Sequence, residues 1–250
     1  MADWVFRSVA VSRYAERNDP NHGAGDAALK KVLWQYVRDQ DVEHENTVRY
    51  VAAFVDAAQS KAKMRNLIYA INVTLDGCCE HTKGPGRGPI EEIIEYHTQL
   101  MRDVDLLVYG RKTYQLMVPF WPDVAKNQSH TKVGNEFART FDSIPKLVFS
   151  QSIASTEEKN TRLVRTSLQD EILKLKKEQG KNILTGGVSI PSQLIKLGLV
   201  DEFHVVILPI IAGEGRRLME GVSLHETLQL KLVESKILKS GCVALRYVKQ

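Results

Sequence analysis

The sequence predicts an α/β fold: a mixed, mostly parallel sheet with helices on both faces and a C-terminal antiparallel hairpin, preceded by a helical N-terminal extension. Three observations predict it. From Met64 onward, apolar strand-like runs alternate with amphipathic helical ones. Within Lys181–Gly221, an apolar strand runs through the glycine pair Gly186-Gly187 into a helix and then into a second apolar strand, which is a βαβ unit. The last two alternating runs, Leu228–Ser235 and Val243–Val248, are joined only across Lys239-Ser240-Gly241, too short a link for anything but an antiparallel pair.

Residues 1–63 form the predicted extension and residues 64–250 the main domain. In the extension, Asp26 is placed to cap a helix with Leu29, Val32, Leu33, Tyr36 and Val37 at helical spacing, and Thr47–Ala62 repeats the pattern with Val48, Val51, Phe54 and Val55. Their apolar faces require a partner, either the main domain or a second subunit. His22, His44 and the acids of Asp39–Glu45 lack ligand spacing on a defined element, so no metal site is expected.

In the main domain, Asn66–Val73 reads as a buried strand ending in the turn Leu75-Asp76-Gly77. His81–Pro89, rich in glycine and proline, reads as a loop long enough to cover a site. A helix follows from Ile90, with Glu91, Glu92 and Glu95 at its favourable N-terminal end. Val104–Tyr109 is the next strand, and Gly110-Arg111-Lys112-Thr113 turns it into a helix closed by Phe120-Trp121-Pro122. Cations at a helix start oppose its dipole, so Arg111 and Lys112 either receive an anion there or are solvated surface side chains. Lys146–Phe149 ends at Ser150-Gln151, and Leu163–Arg165 is a short strand. Ser167 caps a helix over Leu168–Gln179 that stops at Gly180. Adjacent glycines at a strand end admit a ligand close to the backbone, and the N–H groups of the helix that follows suit pyrophosphate.

Composition narrows the functional classes. The 250 residues are 43% hydrophobic, with no apolar run long enough to cross a bilayer and no signal-like start, so a soluble, cytoplasmic protein is expected. Three cysteines cannot all pair, and free thiols fit a reducing compartment. A net charge of +4 without a basic stripe argues against nucleic acid but favours a phosphorylated ligand.

Taken together, Asn72–Gly77 (NVTLDG), Leu107–Met117 (LVYGRKTYQLM), Phe120-Trp121-Pro122, Pro145–Ser150 (PKLVFS), Ile183–Gly187 (ILTGG) and Gly198–Gly215 (GLVDEFHVVILPIIAGEG) resemble the dihydrofolate reductase superfamily. The nearest branch is the C-terminal reductase domain of bacterial riboflavin biosynthesis proteins. The resemblance spans roughly residues 64–250 and implies an NADPH-dependent reductase acting on a pteridine-like or ribosylaminopyrimidine-like substrate. It implies that Gly110 and Thr113 meet the cofactor phosphates and Arg111 and Lys112 the adenosine 2′-phosphate. Ser150 and Gln151 would lie beside the adenosine, and Gly186, Gly187 and Val188 at the pyrophosphate or nicotinamide. On the substrate side it implies Glu92 as the proton-handling acid, with Glu91 and Glu95 competing, and Tyr96 stacking on a ring. Asp76 is an alternative polar group at the pocket mouth or an ordinary turn aspartate. Trp121 walls the pocket or packs a loop. A homodimer is also implied. The alternative is a catalytically silent nucleotide-binding or assembly module on the same fold. The sequence carries no deaminase zinc motif (H-x-E with P-C-x-x-C), so a riboflavin-pathway role would need a separate deaminase.

Overall fold

A computed structural model describes residues 64–80, 90–156, 158 and 160–250. The extension expected over 1–63 and the loop at 81–89 lie outside the described residues.

The chain enters β1 (Leu67–Thr74), makes the short β2 (Cys78–Glu80), and continues through α1 (Ile90–Met101) into β3 (Val104–Gly110). Three helices follow, α2 (Arg111–Met117), α3 (Trp121–Asn127) and α4 (Lys132–Ser143). Then come β4 (Lys146–Phe149), β5 (Thr161–Val164), α5 (Leu168–Lys177), β6 (Asn182–Gly186), α6 (Ser189–Lys196) and β7 (Glu202–Leu208). The two-residue β8 (Arg216–Arg217) pairs with β2, and β9 (Leu230–Ile237) and β10 (Val243–Lys249) end the chain.

The eight-stranded sheet has the order β5-β4-β3-β6-β1-β7-β10-β9. Every pairing from β5 across to β7 is parallel, and β10 and β9 complete the edge antiparallel. Parallel strands need crossovers, and those helices bury both faces of the sheet, so β1 is apolar on both sides. One side packs Leu67, Tyr69, Ile71, Ile183 and Phe203 with Ile172 and Leu175 of α5 and Leu194 and Ile195 of α6. The other packs Ile68, Leu107, Tyr109 and Leu184 with Ile94 and Met101 of α1 and Phe137 and Phe141 of α4. The mostly parallel sheet with helices on both faces and an antiparallel close agrees with the fold class expected from the sequence.

Local chemistry sets the helix ends, and it corrects two expectations. Phe120-Trp121-Pro122 does not close a helix but opens α3, with the proline in its first turn where no N–H is required. The helix α4, absent from the elements expected above although Val133, Phe137 and Phe141 recur at helical spacing, is capped by Thr131 accepting from Gly134 N. Ser167 caps α5 by accepting from Asp170 N, as expected, but α5 stops at Lys177 because Glu178 is extended (φ −73, ψ 154).

The amino ends of the strands are sewn together by buried charge. Arg65 pairs with Asp105, and Lys176 pairs with Asp201, whose carboxylate also accepts Leu67 N at 2.7 Å. Lys146, only 2% exposed, donates Nζ to the carbonyls of Phe141, Asp142 and Ile144 and lies 4.6 Å over the Phe141 ring. This closes the end of α4 and satisfies a cation that burial would otherwise penalise.

Candidate functional site

The carboxyl ends of the parallel strands bring together most of the residues named for a nucleotide. In open α/β sheets this edge is where loops converge and ligands bind. Gly110 ends β3 and Gly186-Gly187 ends β6, and these two strands are neighbours. The strand-to-helix turns that follow them touch. Gly187 adopts φ +84, and a Cβ there would overlap the Thr113 hydroxyl. A Cβ at Gly110 would lie 2.9 Å from Ile190 Cγ1. Both positions are glycine because each turn occupies the space that the other's side chain would need. Tyr69, fully buried on β1, donates its hydroxyl to Gly187 O at 2.9 Å, fixing the turn from beneath. Burial pushes the Tyr69 phenol well above its ordinary pKa, so it stays a donor.

Val188 precedes α6 without a side-chain cap on that helix. At the same end, Arg216 donates to Ser189 Oγ at 3.2 Å. Ser150 and Gln151 follow β4 one strand farther out, where Ser150 Oγ accepts from Ser152 N (3.2 Å) and Ile153 N (3.1 Å). Arg111 and Lys112 are exposed and make no ion pair among the described residues.

The two carboxylates named for proton handling are occupied by backbone. Asp76 accepts from Thr74 Oγ1 (2.6 Å), Ala212 N (3.0 Å) and Gly213 N (2.9 Å), which docks its turn on the loop after β7. Those hydrogen bonds, led by Thr74, hold its carboxyl well below the usual carboxylate range. Glu92 accepts from Ser240 N at 2.9 Å, tying α1 to the β9–β10 turn, and the Ser240 contacts lower its pKa.

Tyr96 belongs to a longer chain of polar groups between α1 and the sheet. Its hydroxyl meets His204 Nδ1 at 2.7 Å, His204 Nε2 meets Glu202 Oε1 at 2.6 Å, and Arg246 donates to both Glu202 oxygens at 2.7 and 3.2 Å. Burial opposes the Glu202 charge, but His204 and Arg246 outweigh it and hold its pKa down to about 2. An ionised Glu202 only accepts, so the Nε2 proton of His204 points at it. A neutral ring then offers Nδ1 to the Tyr96 hydroxyl. Burial and the nearby charge of Glu234 push Tyr96 up to about 12. Next to it, His97 Nε2 lies 2.9 Å from Asn72 Oδ1, and burial above all brings His97 down to about 4. A neutral His97 therefore donates to Asn72 at physiological pH.

Trp121 lies in an aromatic cluster, 4.5 Å from Phe137, 4.9 Å from Phe120 and 6.0 Å from His130 between ring centroids. The site residues that sequence reasoning misses are Asn72, His97 and Tyr69. A polar Asn72 inside a strand buried on both faces is the available signal. Among the described residues no group of three or more His, Cys, Asp and Glu could hold a metal ion, and no helix is long and apolar enough to cross a membrane. Cys78, Cys79 and Cys242 are free.

Comparisons with known proteins agree with the fold. Residues 65–244 match the model of the RibD C-terminal domain. The uncharacterized protein YyaP of Bacillus subtilis (strain 168) is 31% identical over 186 residues, which cover 74% of this chain and 95% of YyaP. Acinetobacter baumannii RibD shares the fold with a TM-score of 0.57 at 15% identity, over 76% of this chain and 59% of that one. So does the diaminohydroxyphosphoribosylaminopyrimidine deaminase/5-amino-6-(5-phosphoribosylamino)uracil reductase of Thermotoga maritima, with a TM-score of 0.54 at 14% identity, over 75% and 57% of the two chains. The strand order and the match over residues 65–244 lead to one conclusion: the chain belongs to the RibD C-terminal domain family and has its α/β fold.

Proposed function

We propose that this chain is an NADPH-dependent reductase that reduces a C=N or C=O bond of a pteridine-like or ribosylaminopyrimidine-like compound. The observation that carries the reading is the abutment of the Gly110–Thr113 and Gly186–Val188 turns, beside cations that no carboxylate neutralises among the described residues. The abutment brings two strand-to-helix turns together at neighbouring strand ends, and backbone N–H groups at such turns suit a pyrophosphate. Gly110, Thr113, Gly186, Gly187 and Val188 would hold the phosphates, and Ser150 and Gln151 would border the adenosine. Arg111 and Lys112 would meet the 2′-phosphate, whose two charges favour NADPH over NADH. When bound, the nicotinamide supplies a hydride.

The α1 side of the same sheet suits a flat substrate. Ala70 pairs in register with Gly186 on one side and His204 on the other, so only a methyl group and a hydrogen stand between the glycine turn and the His204–Tyr96 pair. Tyr96, Asn72 and His97 border that floor with neutral hydrogen-bonding groups. Glu92 and Asp76 are the carboxylates at its margins, and a water held by either would supply the proton. The protein's work is orientation and proton supply.

The engagement of both carboxylates by backbone N–H groups favours a second reading, a module that binds the nucleotide without turnover. Titrating the protein with NADPH by fluorescence, then following nicotinamide absorbance with a panel of pterins, flavin precursors and small carbonyls, separates the two. Binding with oxidation supports the reductase, binding without oxidation across the panel supports the silent module, and no binding at millimolar NADPH overturns both. We also infer a homodimer, for which the exposed Leu232 (47%), Val233 (44%) and Ile237 (80%) on the edge strand β9 offer a surface. A monomer by sedimentation at micromolar concentration would contradict it.

A further inference from the structure

We propose that Arg165 completes the 2′-phosphate subsite and sets the preference for a phosphorylated dinucleotide. This rests on the cofactor reading above and adds to it a residue that no motif marks.

The placement follows from sheet register. Gly110 of β3 pairs with Phe149 of β4, and Phe149 pairs with Val164 of β5. The next residues on these three strands, Arg111, Ser150 and Arg165, therefore leave the sheet at one level. Neighbouring strands lie about 4.8 Å apart, so the three span roughly 10 Å, within reach of one phosphate for long side chains.

The partners of Arg165 satisfy its hydrogen bonds but not its charge. Nη2 donates to Ile153 O at 2.7 Å and Ala154 O at 3.2 Å, and Nη1 donates to Gln151 O at 3.2 Å and Ser150 O at 3.5 Å. Gln151 Nε2 returns a hydrogen bond to Arg165 O at 3.1 Å. All four acceptors are neutral carbonyls, and the Nε–H has no partner among the described residues. The guanidinium is thus fixed and exposed, with no carboxylate against it among those residues. Arg162, three residues earlier and within β5, is paired with Glu171. Elsewhere Arg65, Arg102, Arg217 and Arg246 each face a carboxylate. An arginine held by neutral carbonyls, level with Arg111 and Lys112 across Ser150, concentrates positive charge beside which a monoester phosphate would be held by that charge and by the one remaining donor, Nε–H.

The test is a binding comparison that needs no substrate. Titrate wild type, Arg165→Gln and Arg165→Lys with NADPH, NADH, 2′,5′-ADP and AMP by calorimetry, with thermal unfolding as a check on folding. The expected result is that R165Q weakens NADPH and 2′,5′-ADP by roughly 10-fold or more, the scale of one charge-assisted hydrogen bond, and NADH and AMP by less than about 2-fold. R165K, which keeps the charge but cannot clamp four carbonyls, should retain most of the preference. Equal weakening of phosphorylated and unphosphorylated ligands by both variants would assign Arg165 to loop support and overturn the proposal. Unchanged NADPH binding in R165Q would overturn it while leaving the cofactor reading intact. Wild type that binds neither NADPH nor 2′,5′-ADP would overturn both.

Discussion

The two ends of the sheet treat charge in opposite ways. At the amino ends, Arg65, Lys146 and Lys176 are nearly buried, and each meets a carboxylate, backbone carbonyls or both. At the carboxyl ends, Arg111, Lys112 and Arg165 face no carboxylate among the described residues, and backbone approaches backbone through Gly110 and Gly187. The first arrangement stabilises the fold, because a buried cation without partners would cost several kcal/mol. The second leaves positive charge available to something outside the chain. The second end is the one we propose for the ligand, and perturbing each end should affect different measurements.

The largest effect is expected at the ligand end. Gly187→Ala places a Cβ on the Thr113 hydroxyl in a backbone conformation disfavoured for alanine, and NADPH affinity should fall by about 100-fold or more, with a lower melting temperature. Gly213→Ala is the control, since Gly213 has φ +76 but no atom within 4 Å of its would-be Cβ. It should cost only about 1 kcal/mol and leave binding unchanged. Equal effects of the two would show that backbone strain alone, not the packed turns, governs binding.

The interior network should report on stability instead. Glu202→Gln leaves Arg246 and His204 without their shared carboxylate, and urea denaturation should show a loss of about 3 kcal/mol while NADPH affinity in the folded protein stays within about 2-fold.

Acid should weaken the fold in two windows. His97 is held near 4 against an ordinary 6.5, so the unfolded chain takes up a proton between these values that the folded one refuses. Its contribution is complete above pH 6.5 and is lost as pH falls to 4. Glu202 is held near 2 against an ordinary 4.5, so its contribution is complete above pH 4.5 and is lost as pH falls to 2. Each is worth a few kcal/mol, on the order of 2 to 3. Denaturation at pH 7, 5.5 and 4 should show the first loss in wild type and a much flatter profile in His97→Gln. A profile unaltered by that substitution would place the titrating group elsewhere.

The smallest effect joins the two themes. Tyr69→Phe removes the hydroxyl that holds Gly187 O, which should cost about 1 kcal/mol of stability and a few-fold of NADPH affinity. Loss of stability with unchanged affinity would mean that the turn is held by Thr113 and Ile190 alone.

Much of this architecture is legible in the amino-acid sequence. The strands, the Ser167 cap and the closing hairpin follow from local periodicity and capping chemistry, and the glycines at 110, 186 and 187 stand out because few residues fit a tight strand-to-helix turn. The helix α3 is not legible in the same way, whereas α4 is marked by Val133, Phe137 and Phe141 at helical spacing. Pro122 reads as the end of a helix but sits in the first turn of one, a position that tolerates proline equally well. Glu92 and Tyr96 illustrate the limit on the site side. Their helix and spacing are legible, but their partners, Ser240 N and His204 Nδ1, lie more than 100 residues away in sequence.

The elements, their order and the glycine turns are thus written locally, because each depends on neighbours within a few residues. Which charges are spent and which remain open is a tertiary matter. Arg162 and Arg165 are indistinguishable in their local pattern, yet one pairs with Glu171 and the other faces only carbonyls. The physical reason is that the partner of each charge is set by how strands and helices pack, in the strand order β5-β4-β3-β6-β1-β7-β10-β9 that is not chain order, rather than by the local pattern around it.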